Sequence, residues 1–85
     1  MTDNLIKLMI TVDRFTAAMK EKLYLKAMRG WTGWDDPKEK SGIKERLRKA
    51  VDKLLAGDVM QAVDCANLSM FLLIQSSLEK NDDDA

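Results

Sequence analysis

Two polar side chains stand inside an apolar segment in the C-terminal part of the chain. Asp64 and Asn67 lie within the run Val63–Phe71, whose other members are apolar apart from Ser69. Burying a carboxylate or an amide without hydrogen-bond partners costs about 1–3 kcal/mol or more. Fold stability alone is therefore a weak explanation of these residues. Either they serve a site that binds a ligand or metal, or they hydrogen-bond to the loop or to a second subunit.

A glycine turn predicts that further polar residues join them. Gly57-Asp58 indicates a tight link between two antiparallel helices, with Gly57 ending one and Asp58 capping the next. Asp52 lies five residues before Gly57, and Asp64 lies seven after it. Each helical residue rises about 1.5 Å, so the two carboxylates are expected at nearly the same level. The predicted polar cluster consists of Lys49, Asp52, Lys53, Gln61, Asp64 and Asn67.

A polar loop with two tryptophans precedes this hairpin. Trp31 and Trp34 could offer indole faces on which a nucleobase stacks, or they could only close the end of a helical bundle. Asp35 and Asp36 could cap helix 2 or supply oxygens to a metal ion. Residues 38–53 contain seven basic and three acidic side chains. This run is either a solvated helix face or a rim that attracts phosphate.

Three helices are expected to position these residues. Apolar side chains at three- and four-residue spacing predict helix 1 over Asp3–Met28, which Gly30 is suited to end. Ser41 is the predicted N-cap of helix 2, over residues 42–56. Helix 3 is predicted over residues 59–78. The expected fold is all-α: a long helix 1 followed by an antiparallel helical hairpin.

The domain organisation is simple. Residues 1–79 are predicted to form a single helical domain, and residues 80–85 an acidic disordered tail. Helix 3 is apolar on nearly all sides between Val59 and Ile74. Two partner helices in a chain of 85 residues can hardly cover such a helix. We therefore expect a homo-oligomer, with the chain forming a dimeric or higher helical bundle.

Composition narrows the classes of function. The formal net charge is zero, which argues against a nucleic-acid binder driven by bulk charge. Cys65 is the single cysteine and histidine is absent, so an intrachain disulfide, a cysteine-based zinc site and a histidine base are excluded. No signal peptide or apolar run of about 18 residues is visible. A cytoplasmic protein without membrane contact is expected.

The hairpin residues resemble a known family. Asp64-Cys-Ala-Asn67 matches the D-x-A-N run of the MazG-like all-α nucleoside triphosphate pyrophosphohydrolases, particularly their short phage-type members. Lys49–Lys53 stands where that family carries an E-E-x-x-E-like segment, and Gln61–Asp64 stands where it carries E-x-x-D. The family's carboxylates hold Mg²⁺ ions that bridge the triphosphate and activate the attacking water.

The segment leading into helix 2 extends the resemblance. Met19–Leu23 and Gly30–Asp36 are similar to the corresponding part of phage-type members, so the likeness covers about residues 15–75. It implies an all-α fold that binds a nucleoside triphosphate. An active member of the family would use Mg²⁺ and release a nucleoside monophosphate and pyrophosphate.

The chain departs from the family where the metal would bind. Lys49 stands in place of a carboxylate and Gln61 in place of a glutamate, so only Asp52 and Asp64 keep the acidic type. Two carboxylates beside two ammonium groups make a poor Mg²⁺ cage. The resemblance therefore implies a nucleotide-binding protein with weak or lost (d)NTP pyrophosphohydrolase activity. Its expected site comprises Asp52 and Asp64 for Mg²⁺, and Trp31, Trp34, Lys49, Lys53, Gln61 and Asn67 for the nucleotide or a related phosphate ligand.

Two alternatives stay open at this point. The chain could be an active (d)NTP pyrophosphohydrolase if Asp35, Asp36 or a partner chain supplied the missing carboxylates. It could also be a non-enzymatic phage accessory protein that binds a host protein through its basic helix 2 or its methionine-rich surface.

Overall fold

The fold consists of three α-helices. A computed structural model describes the backbone of residues 2–84 and the side chains of residues 2–77. The helices are α1 (Thr2–Met28), α2 (Lys40–Leu55) and α3 (Gln61–Asp84), and a short 3-10 turn, Pro37–Glu39, precedes α2. Residues 2–84 contain no strand, which confirms the predicted all-α class. No helix in that range combines the length and apolar character needed to cross a membrane.

Helix α1 ends where the sequence predicts. Gly30 has a positive φ of 87°, which glycine adopts without steric cost. The Gly30 amide donates to the Ala27 carbonyl at 2.9 Å, and the Trp31 amide donates to the Lys26 carbonyl at 3.1 Å. This pair of bonds is a Schellman motif. It satisfies carbonyls at the helix end and turns the chain so that Trp31 folds back toward the bundle.

Helix α2 begins earlier than predicted, and Ser41 does not cap it. Asp36 caps the 3-10 turn instead: its Oδ1 accepts a hydrogen bond from the Lys38 amide at 3.0 Å, with Pro37 at the first position of the turn. The turn then leads directly into α2 at Lys40, and Glu39 at the N-cap position makes no side-chain capping bond. Because the chain is already turning before Ser41, that residue lies inside the helix.

The link between α2 and α3 contains the predicted glycine turn, but α3 begins two residues later than predicted. Gly57 has a φ of 116°, and the Asp58 amide donates to the Lys53 carbonyl at 3.0 Å, so Gly57 ends α2 as predicted. Helix α3 starts at Gln61, not at Val59. Asp58 is not its immediate N-cap: its Oδ2 accepts from the Gln61 side chain at 3.3 Å, and the two residues between them form a turn.

The core lies mainly between α2 and α3. Its buried apolar side chains are Ile43, Ala50, Val63, Leu68 and Phe71. Helix α1 contributes no buried residue and contacts this core through Leu23 in its second half. The fold is therefore a tightly packed helical hairpin with the second half of a long helix lying against it.

The first half of α1 presents an apolar surface to solvent. Seven large apolar side chains are between 39% and 54% exposed there: Leu5, Ile6, Leu8, Met9, Ile10, Val12 and Phe15. The sequence predicted that apolar side chains of helix 3 would remain uncovered in a single chain. Leu73 and Ile74 of α3 are exposed. The larger surface lies on α1, because α2 packs along α3 whereas the first half of α1 buries no side chain.

The backbone of α3 continues past the predicted end at Leu78 and is helical to Asp84. The predicted acidic tail, residues 80–85, falls among residues whose side chains lie outside the described part. The disorder expected there stays a prediction.

Candidate functional site

Basic side chains from two helices line one groove of the bundle. The groove has a volume of about 210 Å³, and we call it the basic groove. Its lining residues are Lys26 from α1, Arg46, Lys49, Ala50 and Lys53 from α2, and Gln61, Asp64 and Leu68 from α3. Four cationic side chains thus surround one carboxylate. Four residues named from the sequence (Lys49, Lys53, Gln61 and Asp64) do come together here.

Helical periodicity places the α2 residues of the groove. Arg46, Lys49 and Lys53 are three and four residues apart, so they share one stripe of the helix surface. Ala50 lies on the same side and is buried against α3. A small side chain at this position lets the two helices approach closely, so the cations of α2 border the polar side chains of α3.

Asp64 is already paired with a cation. Lys22 Nζ on α1 donates to Asp64 Oδ2 at 2.8 Å, and the Asp64 side chain is only 17% exposed. The partner of this carboxylate is thus a lysine that the sequence analysis did not nominate. Because Lys22 compensates the charge of Asp64, the positive charge of the other groove side chains remains largely uncompensated.

Asn67 lies outside the basic groove and connects two helices. The residue is 4% exposed, and its Nδ2 donates to the Met19 carbonyl on α1 at 3.4 Å. Its Oδ1 has no hydrogen-bond partner among the described residues. Asn67 therefore links α3 to α1, whereas the sequence had offered the loop or a second subunit as its partner in place of a ligand.

The tryptophans pack against Phe71, near the middle of α3. The ring centroids of Trp31 and Trp34 each lie 5.5 Å from that of Phe71. Lys26 Nζ lies 5.4 Å from the centroid of a Trp31 ring, within the range of a cation–π contact. Gln75, which is fully buried, donates from Nε2 to the Trp34 carbonyl at 2.6 Å and so anchors the loop. Both indoles close the bundle end.

A second cavity adjoins the basic groove. It has a volume of about 250 Å³, and we call it the Trp31 cavity. Its lining residues are Trp31, Thr32, Gly33, Glu39, Gly42, Ile43 and Arg46. The Trp31 cavity and the basic groove therefore share the Arg46 side chain, and Lys26 of the groove contacts Trp31. Trp34 lines neither compartment.

The structure does not assemble the expected metal ligands. Asp52 is exposed and lines a different groove with Lys44, Leu47, Arg48 and Val51, because it falls off the helical stripe that carries Lys49 and Lys53. Asp36 caps the turn before α2. Over the described residues, no three His, Cys, Asp or Glu side chains come together in a way that could hold a metal ion. One lysine-paired carboxylate among cations does not fit a Mg²⁺ site.

Sequence reasoning missed two cations of the groove (Arg46 and Lys26), the lysine that pairs with Asp64 (Lys22), and one anchor (Gln75). Arg46 could have been found, since its spacing to Lys49 and Lys53 places it on the same helix face. The positions of Lys22 and Lys26 relative to α2 and α3 depend on how α1 crosses the hairpin, and no local sequence pattern specifies that crossing. Gln75 is the single fully buried large side chain among those described. No feature of the surrounding sequence indicates that this glutamine is buried.

Comparison with known proteins assigns no family to this chain, because no family model, curated protein or solved structure matches it. The site must therefore be interpreted from its own geometry.

Proposed function

We propose that this protein binds a nucleotide, with the phosphates in the basic groove and the base or sugar in the Trp31 cavity. The observation that carries the proposal is Arg46, which lines both compartments. A guanidinium pairs with phosphate oxygens through parallel hydrogen bonds and also stacks on flat rings. The resemblance of Asp64-Cys-Ala-Asn67 to the D-x-A-N run of MazG-like proteins supports the same ligand class.

We further propose that (d)NTP pyrophosphohydrolase activity is weak or lost. Hydrolysis by that family's mechanism needs carboxylates that hold Mg²⁺ and orient a water molecule. Here Asp64 is held by Lys22, and Asp52 faces another groove. The described side chains therefore include groups that attract phosphate but form no arrangement that would activate water beside it.

The proposal is tested by calorimetric titration with a panel of ribo- and deoxyribonucleoside triphosphates. The matched pair of variants is Arg46→Ala and Arg48→Ala. Both residues are exposed arginines of α2, but Arg48 lines the groove of Asp52 and pairs with Glu45 at 3.5 Å. Loss of Arg46 should weaken binding about tenfold or more, since a hydrogen bond to a charged group is worth about 1.5–3 kcal/mol. Loss of Arg48 should leave affinity almost unchanged.

A parallel assay of pyrophosphate release with Mg²⁺ or Mn²⁺ separates binding from catalysis. We expect little or no release above that of a denatured control. Efficient release that disappears in Asp64→Ala would show that the remaining carboxylates suffice, and the proposal of weak or lost activity would be wrong.

We also propose that two copies associate through the first half of α1. Leu5, Leu8, Val12, Phe15 and Met19 repeat at alternating three- and four-residue spacing, which is the pattern of a helix seam that packs on another helix. The first four are exposed in the single chain. A second copy is the occupant that this surface fits, because an apolar seam on a long helix is self-complementary in a two-fold arrangement.

A further inference from the structure

We infer that the basic groove binds a chain of linked phosphates through its own side chains, without a divalent metal ion, and that Mg²⁺ weakens this binding. The inference deepens the proposed function, on which it rests for the location of the phosphates. It concerns the chemical form of the ligand: a free oligophosphate anion, not its magnesium complex.

The charge of the groove is the first observation. Arg46, Lys49 and Lys53 make no ion pair with any described residue, and Lys26 contacts the Trp31 ring. The single carboxylate of the groove, Asp64, is compensated by Lys22 at 2.8 Å. Uncompensated cations that border one concave surface attract anions. Here the cations come from both α1 and α2, so the positive charge does not belong to one solvated helix face.

The spacing of the cations is the second observation. Arg46 and Lys53 are seven residues apart on α2, which corresponds to about 10 Å along the helix axis. Charge-assisted hydrogen bonds to phosphate require donor–acceptor distances of about 2.7–2.9 Å. A single phosphate group is much shorter than this row, so it could contact both ends only if the Arg46 and Lys53 side chains converged on it. A chain of two or three linked phosphates offers oxygens along the row and can contact several cations at once.

The cations and the paired carboxylate of the groove also disfavour a bound Mg²⁺ ion. Mg²⁺ prefers anionic oxygen ligands, and the groove supplies one carboxylate that is already paired with Lys22. A magnesium complex of an oligophosphate carries less negative charge than the free anion. It would also bring a divalent cation close to Lys26, Arg46, Lys49 and Lys53, which costs Coulomb energy. Mg²⁺ should therefore compete with the groove for the phosphate oxygens.

The test uses inorganic anions, which lack a base and a sugar. The full chain is titrated by calorimetry with triphosphate, pyrophosphate and orthophosphate in EDTA, and then with excess Mg²⁺. We expect affinity to fall in that order, and excess Mg²⁺ to weaken triphosphate binding about tenfold. Lys53→Ala should weaken triphosphate binding several-fold, whereas Lys44→Ala, in the groove of Asp52, should not. Far-UV circular dichroism checks that each variant remains helical.

The outcomes separate this inference from the proposed function. Triphosphate binding that requires Mg²⁺ would overturn the inference, and nucleotide binding with Mg²⁺ would still support the proposed function. Strong triphosphate binding in EDTA, with no gain in affinity for a nucleoside triphosphate, would support the inference and contradict a role for the Trp31 cavity. Absence of binding by inorganic anions and nucleotides alike would overturn both.

Discussion

At the scale of single residues, the pair formed by Lys22 and Asp64 decides how the groove is interpreted. A carboxylate that served a metal ion would need free oxygens directed at that ion. Asp64 instead accepts a hydrogen bond from Lys22 at 2.8 Å and is surrounded by further cations. Asp64 therefore orients Lys22 and limits the positive charge of the groove.

This role predicts an unusual effect of Asp64→Asn. The substitution keeps the shape of the side chain and removes a negative charge beside the bound anion. Affinity for triphosphate in EDTA should rise severalfold, because like charges no longer repel. Stability should fall by about 1 kcal/mol, the usual scale for an ion pair that retains partial exposure. Calorimetry and urea denaturation measure the two effects. Weaker binding in the variant would indicate that Asp64 contacts the ligand directly.

Gln75 makes a separate prediction at the same scale. Its buried Nε2 donates to the Trp34 carbonyl at 2.6 Å, so it ties the tryptophan loop to α3. Gln75→Ala should cost about 2–3 kcal/mol of unfolding free energy, through the lost hydrogen bond and the cavity left behind. Ser76→Ala, at an exposed neighbouring position, is the control and should change stability little. Equal stability of the two variants in urea denaturation would contradict the anchoring role.

At the scale of elements, the glycine in the α2–α3 turn differs from a glycine inside a helix in the backbone conformation that it must adopt. Gly57 sits at a φ of 116°, and a Cβ added there would meet no atom within 4 Å. Any cost of a side chain at this position therefore comes from the backbone conformation alone. Gly42 offers the contrast, because it lies inside α2 with an ordinary helical conformation.

Replacing these two glycines with alanine should change the stability of the protein in opposite directions. Gly57→Ala should destabilise the protein by about 1–2 kcal/mol, the cost of a left-handed conformation for a residue with a Cβ. Gly42→Ala should stabilise it by about 0.5–1 kcal/mol, because alanine loses less entropy than glycine in a helix. An added Cβ at Gly42 would lie 3.9 Å from Glu39 Oε2, which is an ordinary contact. Thermal denaturation of both variants measures the difference, and a shift of the same sign would contradict the analysis of the turn.

Helix positions could be predicted from the sequence to a useful degree. Apolar spacing and Gly30 placed α1 within a residue of its observed limits, and Gly57 correctly marked the end of α2. The starts of α2 and α3 were wrong, because Ser41 and Asp58 satisfy the pattern of an N-cap while neighbouring turns begin or delay the helix. Local sequence specifies which residues can cap, but the path of the chain decides which of them do.

The candidate site was predictable only in part. Lys49, Lys53, Gln61 and Asp64 follow from a hairpin whose register a glycine turn sets. Asp52 was predicted to join the same cluster because it lies about as far from the Gly57 turn as Asp64 does. Distance along the helix axis does not determine, however, toward which side of the helix a side chain points. The contributions of Lys22 and Lys26 depend on the crossing of α1 over α3, which is a tertiary property.

At the scale of the whole molecule, the single chain leaves many large apolar side chains exposed. Seven large apolar side chains in the first half of α1 are exposed, and Leu55, Val59 and Met60 are exposed at the α2–α3 turn. Contiguous apolar surface of this kind typically marks an interaction site. We expect a second copy to cover the α1 surface.

Association should therefore depend on the α1 seam. Val12→Glu places a charge in the middle of that seam and should convert a dimer to a monomer, because burying an unpaired carboxylate is costly. Lys7→Glu, which changes the charge of the same helix at a polar position, should leave the dimer intact. Light scattering after gel filtration gives the mass of each species. A wild-type chain that elutes as a monomer at high concentration would contradict this prediction.

Nucleotide binding by the Trp31 cavity and the basic groove, with Arg46 between them, is the central proposal for this protein. The most direct measurement is calorimetric titration of the wild-type chain, Arg46→Ala and Arg48→Ala with nucleoside triphosphates in EDTA. We predict saturable binding by the wild type and Arg48→Ala, and binding about tenfold weaker or absent in Arg46→Ala. Failure of the wild type to bind any nucleotide, with or without Mg²⁺, or equal affinity of the two variants, would contradict the central claim.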